Sequence, residues 1–166
     1  MKNKSLKKDL SANRIDNFPF FGRLTACLFL LVGLLIYSTS ISSPFIWDDY
    51  DLVVENYNIQ SWSHVFGLFK GNVVEQSSFY RPLQMFSYLL DYEIGGLNPK
   101  IFHFTSILIH IAVALSLCWL CIVLFKDRLI GMIAGLLFLI HPIHNEAVVY
   151  ISGRADPLVA LFMLLS

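Results

Sequence analysis

Two long stretches without charged residues constrain this chain more than any other feature. Leu24–Ile41 is eighteen residues long, and Phe104–Phe125 is twenty-two residues long with His110 as its one histidine. About 20 apolar residues in a helix cross the hydrocarbon core of a bilayer, whereas buried helices of soluble proteins usually keep a polar face. Charged residues make up only 14% of the chain, against about 25% in soluble domains. The sequence therefore predicts an all-α polytopic membrane protein.

Basic residues are concentrated in two segments that flank these stretches. Residues 1–23 contain six basic and two acidic residues, and the connection 126–128 contains two basic residues and one acidic residue. Residues 44–102 contain three basic and seven acidic residues. Since positively charged loops stay in the cytoplasm, the N-terminus is predicted inside and residues 44–102 outside. A cleavable signal peptide is the alternative for the first stretch, but its apolar run exceeds the usual length of about 7–15 residues.

These patterns divide the chain into six predicted segments. They are a cytoplasmic tail (1–23), a first transmembrane helix (24–43), an outer loop with amphipathic helices (44–102), a second transmembrane helix (103–125), a third with a polar outer end (129–151) and the start of a fourth (156–166). The last apolar run is unfinished at Ser166. We therefore expect the fourth span to continue beyond this residue, and the 166-residue segment alone to be inactive.

Local signals place helices within the outer loop and at the last span. Apolar spacing predicts helical structure in residues 53–69, with Ser61 as a cap. A second amphipathic helix is predicted from Pro82 to Ile94, ended by the two glycines that follow. Asp156 is predicted to cap the helix that enters the fourth span.

Three polar clusters are expected at the outer face. They are Trp47-Asp48-Asp49-Tyr50-Asp51, Tyr80-Arg81-Pro82, and a run from His141 through His144 and Glu146 to Arg154 and Asp156. At 1.5 Å rise per residue, His141 lies about 18 Å above the inner end of the third span, so the topology brings all three clusters to similar depth. Ionisable groups at membrane depth are costly and indicate function. Taken singly, each cluster is also compatible with a solvated loop, a snorkelling arginine or packing at a helix break.

Transfer of a sugar from a lipid-linked phosphate uses such a set of side chains. One of Asp48 and Asp49 would be the general base that accepts the proton of the attacking hydroxyl. Four cationic or imidazole side chains would bind the donor phosphate and stabilise its growing charge: Arg81, His141, His144 and Arg154. A Mg or Mn ion held by Asp48, Asp49 and Glu146 is a further alternative, because these ions prefer oxygen ligands.

Four motifs in a fixed order carry a resemblance to a known family. They are Phe45-Ile46-Trp47-Asp48-Asp49, Tyr80-Arg81-Pro82-Leu83, Gly96-Leu97-Asn98-Pro99 with His103, and His141-Pro142-Ile143-His144-Asn145-Glu146-Ala147 followed by Gly153-Arg154-Ala155-Asp156. Over residues 44–162 the chain resembles the transmembrane and tetratricopeptide-repeat O-mannosyltransferases and their bacterial relatives. Asn145 and Pro157 depart from the expected Thr and Leu, but the acidic and basic positions are intact.

The resemblance implies a fold and an activity. The fold would be GT-C-like, with three to four transmembrane helices in this N-terminal part, a helical first outer loop, and tetratricopeptide repeats further along. The activity would be inverting transfer of a sugar, mannose in the family, from a polyprenyl-phosphate donor to a protein hydroxyl, with the acidic pair as the active site. The expected partners are membrane lipids, the lipid-linked donor and a protein acceptor, with no nucleic acid. The expected location is the endoplasmic reticulum in a eukaryote or the plasma membrane in a bacterium.

Other functions are compatible with the same residues. A non-catalytic membrane scaffold or transporter subunit would use the cations to bind a lipid headgroup or an ion. A scaffold has little use for Asp48 and Asp49, and a transporter would place its ionisable groups near the middle of the membrane. An oligosaccharide ligase or polymerase would share the donor chemistry.

Cysteine-accessibility labelling tests the predicted topology. In a background without native cysteines, Ser5→Cys and Lys126→Cys should react from the cytoplasmic side and Ser77→Cys from the outer side, because the basic segments are retained inside. Labelling of Ser5→Cys from the outer side would contradict this topology.

Overall fold

The computed structural model describes residues 18–70 and 80–166, and the regular elements within these ranges are all helical. The α-helices are α1 (Phe18–Ile36), α2 (Val65–Leu68), α3 (Pro82–Gly95), α4 (Pro99–Phe125), α5 (Arg128–Ile140), α6 (Asn145–Val149) and α7 (Ala155–Leu165). Short helical turns occupy Ser40–Ser42, Tyr50–Val54, Tyr57–Ile59, Trp62–His64, Pro142–His144 and Ile151–Arg154. Most of the predicted cytoplasmic tail, and Ser77 in the outer loop, lie outside the described residues.

Local side chains account for where several helices begin and end. Pro82 is the first residue of α3, and Gly96, with φ of 60°, follows its last residue. Asn98 caps α4 by accepting a hydrogen bond from the Lys100 N–H at 3.2 Å. Asp127 caps α5 by accepting from the Leu129 N–H at 2.7 Å. The predicted second loop helix and its glycine stop are therefore confirmed.

Other helix ends differ from the sequence prediction. The segment 53–69 contains short helical turns and α2, in agreement with the predicted helical structure, and Ser61 caps one of the turns by accepting a hydrogen bond from the Ser63 N–H. The last helix begins at Ala155 and not after an Asp156 cap. The helix predicted for residues 24–43 ends at Ile36, because the polar run that follows folds into a separate turn at Ser40–Ser42.

Among the described residues, one helix is long and apolar enough to cross a membrane. This is α4, with 27 residues. A second span is formed if α5 and the segment Pro142–Val149, which are bent by 49° relative to each other, are counted as one. The apolar part of α1, Phe21–Ile36, is shorter than a span by the same measure. The all-α class is thus confirmed, while the number of three to four spans stays a prediction.

The bend after α5 is held by a hydrogen bond from α4. Pro142 has no N–H group, and the Ile143 N–H donates to His141 Nδ1 at 3.2 Å instead of to the helix. The Leu139 carbonyl, which would accept that N–H in a continuous helix, lies 3.3 Å from His110 Nε2 and 3.5 Å from Tyr37 Oη. His110 and Tyr37 therefore satisfy a buried carbonyl that the helix break leaves without its helical partner.

The described part of the chain has two apolar cores. One lies between α1, α4 and α5 and includes Phe29, Ile107, Ile111, Ala114, Cys118 and Leu139. The other lies beneath the loop, where α3 and the start of α4 cover Val53, Ile59, Leu68, Met85, Leu89 and Ile151. Gly135 brings α5 against α4, since a Cβ atom there would lie 2.8 Å from the Ala114 carbonyl oxygen. Small residues permit such close helix contacts in membrane proteins.

A buried ion pair connects α3, α4 and the turn Ile151–Arg154. Arg154 is fully buried, and its Nη1 lies 2.6 Å from Asp91 Oδ2. The guanidinium also donates to Ser106 Oγ (3.0 Å), Ser87 Oγ (3.0 Å) and the Phe102 carbonyl (2.6 Å). Its carbon lies 4.6 Å from the centre of the Tyr88 ring. Burial raises the pKa of Asp91, and the Arg154 charge and the 2.6 Å hydrogen bond from Thr105 oppose this.

Removing one member of this pair should destabilise the fold strongly. Asp91→Ala leaves a buried guanidinium without its counter-charge, and should lower the free energy of unfolding by about 3–5 kcal/mol. Arg154→Met combined with Asp91→Leu should recover most of that loss. The measurement is denaturant or thermal unfolding of the detergent-purified protein. Glu93→Ala, an exposed carboxylate on the same helix, is the control, and an equally small effect of both alanine variants would contradict the assignment.

Candidate functional site

Asp48 and Asp49 are neighbours in sequence but have opposite surroundings. Asp49 is fully buried and Asp48 is exposed. Asp49 Oδ1 accepts hydrogen bonds from the Ser152 backbone N–H (2.9 Å) and the Ser152 hydroxyl (2.6 Å), and its Oδ2 accepts from the Ile46 N–H (3.1 Å). Asp49 therefore fixes the loop after α1 to the turn Ile151–Arg154. Asp48 is left as the carboxylate of the pair that a substrate can reach.

Tyr150 holds the backbone of Asp48 by a hydrogen bond. Its hydroxyl oxygen accepts a hydrogen bond from the Asp48 N–H at 3.2 Å. Its ring also packs edge-on against Trp47, with ring centres 6.4 Å apart.

An apolar groove lies between the start of α3 and α7. Its volume is about 480 Å³, and half-buried Arg81 is among its lining residues. Its walls also include Leu83, Gln84, Leu158, Val159 and Phe162. Gln84 Nε2 donates to the Ser152 carbonyl at 2.8 Å. Gln84 in the groove wall and Asp49 are thus both hydrogen-bonded to Ser152, Gln84 through its carbonyl and Asp49 through its N–H and hydroxyl groups.

The predicted histidines lie at the bend after α5. His144 packs on Phe138, with ring centres 4.1 Å apart, and lies 6.0 Å from the His141 ring. His141 is exposed, and its Nδ1 accepts the Ile143 N–H described above. The two imidazoles are therefore close to each other, but neither is among the residues that line the groove with Arg81.

The position of Arg154 does not fit the role predicted for it. The sequence groups it with the phosphate-binding residues, but its guanidinium is fully buried and bonded to Asp91, Ser87, Ser106 and the Phe102 carbonyl. A buried, fully engaged guanidinium cannot also receive a phosphate. Its charge is instead balanced inside the protein, and we exclude it from the phosphate site.

The residues predicted to hold a metal ion do not form a suitable set. Both Asp49 oxygens already accept hydrogen bonds, and Glu146 is exposed in the first turn of α6. Within residues 18–70 and 80–166, no three His, Cys, Asp or Glu side chains converge as a metal site requires. Asp48, Asp49 and Glu146 therefore do not form a preformed site for a Mg or Mn ion.

Sequence reasoning missed several residues that position the site. Asp91, Gln84, Ser152 and Tyr150 lie in segments that read as amphipathic helix or loop, and no local motif marks them. His103 was noted only as part of the family pattern, and its Nε2 lies 3.2 Å from the Ser43 carbonyl. Their roles depend on contacts 60 to 103 residues distant along the chain, and the single available signal was a polar residue on an otherwise apolar helix.

Similar proteins were found by sequence. The chain is 40% identical over 142 residues to protein O-mannosyl-transferase tmtc2 of Xenopus laevis and 38% identical over 142 residues to human TMTC2. It is 35% identical over 150 residues to human TMTC1. No protein-family model matches the chain, and no solved structure matches it significantly.

The matched region is a large part of this chain and a small part of its relatives. The alignment to the two TMTC2 proteins covers 81% of the chain and 17% of each relative. Identities to TMTC4 of mouse and TMTC3 of human, both 32%, extend the same result to other members. The chain belongs to the TMTC family of protein O-mannosyl-transferases.

Proposed function

We propose that this chain carries the catalytic loop of a membrane glycosyltransferase that moves a sugar, mannose by analogy with the names of its relatives, from a polyprenyl-phosphate donor to a protein hydroxyl. The reaction would take place on the outer or luminal face, opposite the basic N-terminal segment. The observation that carries the proposal is the contrast between the two aspartates. Asp49 is locked to Ser152, and this holds Asp48 exposed on an ordered turn.

Asp48 is the general base in this proposal. The acceptor hydroxyl oxygen attacks the anomeric carbon of the sugar while its proton passes to the Asp48 carboxylate. The bond between the anomeric carbon and the phosphate oxygen breaks, and its electron pair leaves with the phosphate. Because a phosphate is a stable anion, the leaving group needs no proton from a general acid. Attack from the side opposite the phosphate inverts the anomeric configuration.

The groove beside Arg81 is suited to the lipid-linked donor. Its walls are mostly apolar, with Leu158, Val159 and Phe162 from α7 on one side, so they match a polyprenyl chain. Arg81 contributes a planar group that can form two hydrogen bonds to phosphate oxygens. His141 and His144 make their contacts at the bend after α5 and do not line the groove. We therefore assign them no step in the reaction. Membrane lipids would surround the groove opening.

Replacing the base should reduce turnover and leave the fold intact. In the full-length protein in membranes, Asp48→Asn should lower the rate of sugar transfer by about 10²–10⁴-fold, because an amide accepts no proton at neutral pH. Asp49→Asn should act differently, reducing the unfolding temperature because one of its two oxygens becomes an amide nitrogen. Asp51→Asn, exposed in the same loop, is the matched control and should retain normal turnover. Normal transfer by Asp48→Asn at equal expression would remove the catalytic assignment and favour a lipid-binding scaffold.

Arg81 should affect use of the donor more than use of the acceptor. Arg81→Lys keeps the charge but loses the planar fork, so we expect a higher KM for the lipid-linked donor with little change in the KM for the acceptor. Arg81→Ala should show a larger change of the same kind. Lys100→Ala, an exposed cation at the start of α4, serves as the comparison. An unchanged donor KM in both Arg81 variants would indicate that this side chain only reaches toward the headgroups.

A further inference from the structure

Trp47, directly before Asp48, has an unusual backbone conformation. Its φ is 46°, in the left-handed region that large side chains seldom adopt. Within residues 18–70 and 80–166, Lys126 is the one other non-glycine residue with positive φ, and it ends a helix. Such conformations persist where the surroundings enforce them, and they are concentrated at functional sites.

Hydrogen bonds on both sides of Trp47 enforce this conformation. The Asp49 N–H donates to the Ile46 carbonyl (3.0 Å), and the Tyr50 N–H donates to the Trp47 carbonyl (3.1 Å). The Ile46 N–H donates to Asp49 Oδ2, and the Asp48 N–H donates to Tyr150 Oη. The same contacts that bury Asp49 and expose Asp48 therefore also turn Trp47 outward.

The result is an indole ring that is 83% exposed but held in place. Its edge-on contact with Tyr150, at an angle of 78°, covers one side of the ring and leaves its other surfaces open. Anchoring in the membrane interface does not require this strain. Tyr57 and Phe66, exposed at 77% and 79% in the same loop, have ordinary backbone conformations. The strain at Trp47 calls for a ligand that must be placed beside Asp48.

A hexopyranose has the chemistry to occupy this position. One face of its ring presents several C–H bonds whose hydrogens carry a small positive charge, and the face of an aromatic ring carries a small negative charge. An exposed indole beside a general base can hold such a ring so that its anomeric carbon is within reach of the attacking hydroxyl. A phosphate is repelled by the negative face of the ring, and a lipid tail packs on an indole without needing a fixed orientation, so the sugar is the occupant that a strained and ordered tryptophan favours.

We propose that Trp47 is the sugar platform of this site: its indole stacks on the C–H face of the donor's pyranose ring and places the anomeric carbon beside Asp48. The inference rests on the proposed function and goes beyond it by assigning a binding residue for the sugar itself. It separates recognition of the donor into a sugar contact at Trp47 and a phosphate contact at Arg81.

Donor kinetics of Trp47 variants test the proposal. Trp47→Asn removes the ring but suits positive φ, and Trp47→Phe keeps a smaller ring. In full-length protein in membranes, Trp47→Asn should raise the KM for the polyprenyl-phosphate sugar about three- to tenfold, as expected from the size of aromatic stacking energies. Trp47→Phe should restore part of this loss. The inhibition constant of sugar-free polyprenyl phosphate should not change in either variant.

Two further readouts distinguish the outcomes. The unfolding temperature of Trp47→Asn should be equal to or higher than that of the wild type, since the strain is relieved. Trp62→Leu, a second exposed tryptophan of the loop that packs on Phe86, should leave both donor constants unchanged. Equal changes in the donor KM and in the inhibition constant would overturn the proposal in favour of membrane or lipid contact, and unchanged constants would overturn it outright. Absence of any transfer by the wild-type protein would instead refute the proposed function.

Discussion

The ion pair between Arg154 and Asp91 is the interaction on which the rest of the described structure depends. A guanidinium without solvent contact is tolerated only when its charge is balanced and its N–H groups are bonded, and here Asp91, Ser87, Ser106 and the Phe102 carbonyl meet that need. These partners lie on α3 and α4. The pair therefore fixes the turn Ile151–Arg154 against two helices, and Ser152 in that turn fixes Asp49. The position of Asp48 follows from a charge buried in the core.

The two aspartates illustrate how one dipeptide can divide two tasks. A carboxylate that accepts three hydrogen bonds is a good structural link and a poor base, because its lone pairs are occupied. An exposed carboxylate is available to a substrate but has no means of holding its own position. Placing the two aspartates next to each other provides both functions. Asp49 forms the structural link, and the short backbone between them keeps Asp48 and Trp47 in a fixed position.

The sequence was sufficient for the features set by local chemistry. The long apolar run indicated α4, and Pro82 and the glycine pair indicated the limits of α3, whereas the helix predicted over 129–151 is broken after Ile140. It was insufficient where distant contacts decide. In the sequence, an arginine at a helix break such as Arg154 looks the same whether it faces a phosphate or an internal acid, and no local pattern marks Asp91 as its partner. The end of α1 at Ile36 differs from the predicted limit at residue 43, because serines and threonines are compatible with a membrane helix and composition alone does not mark where it ends.

The helix break after α5 has a consequence for the order in which the chain is made. The buried carbonyl of Leu139 is satisfied by His110, a residue that is synthesised 29 positions earlier. The donor is therefore already in the nascent chain when the broken helix leaves the ribosome. The bend can form as soon as α5 pairs with α4, and it does not have to await any later segment to cover its polar group. The direction of synthesis thus ensures that the buried Leu139 carbonyl has its hydrogen-bond partner as soon as the hairpin of α4 and α5 closes.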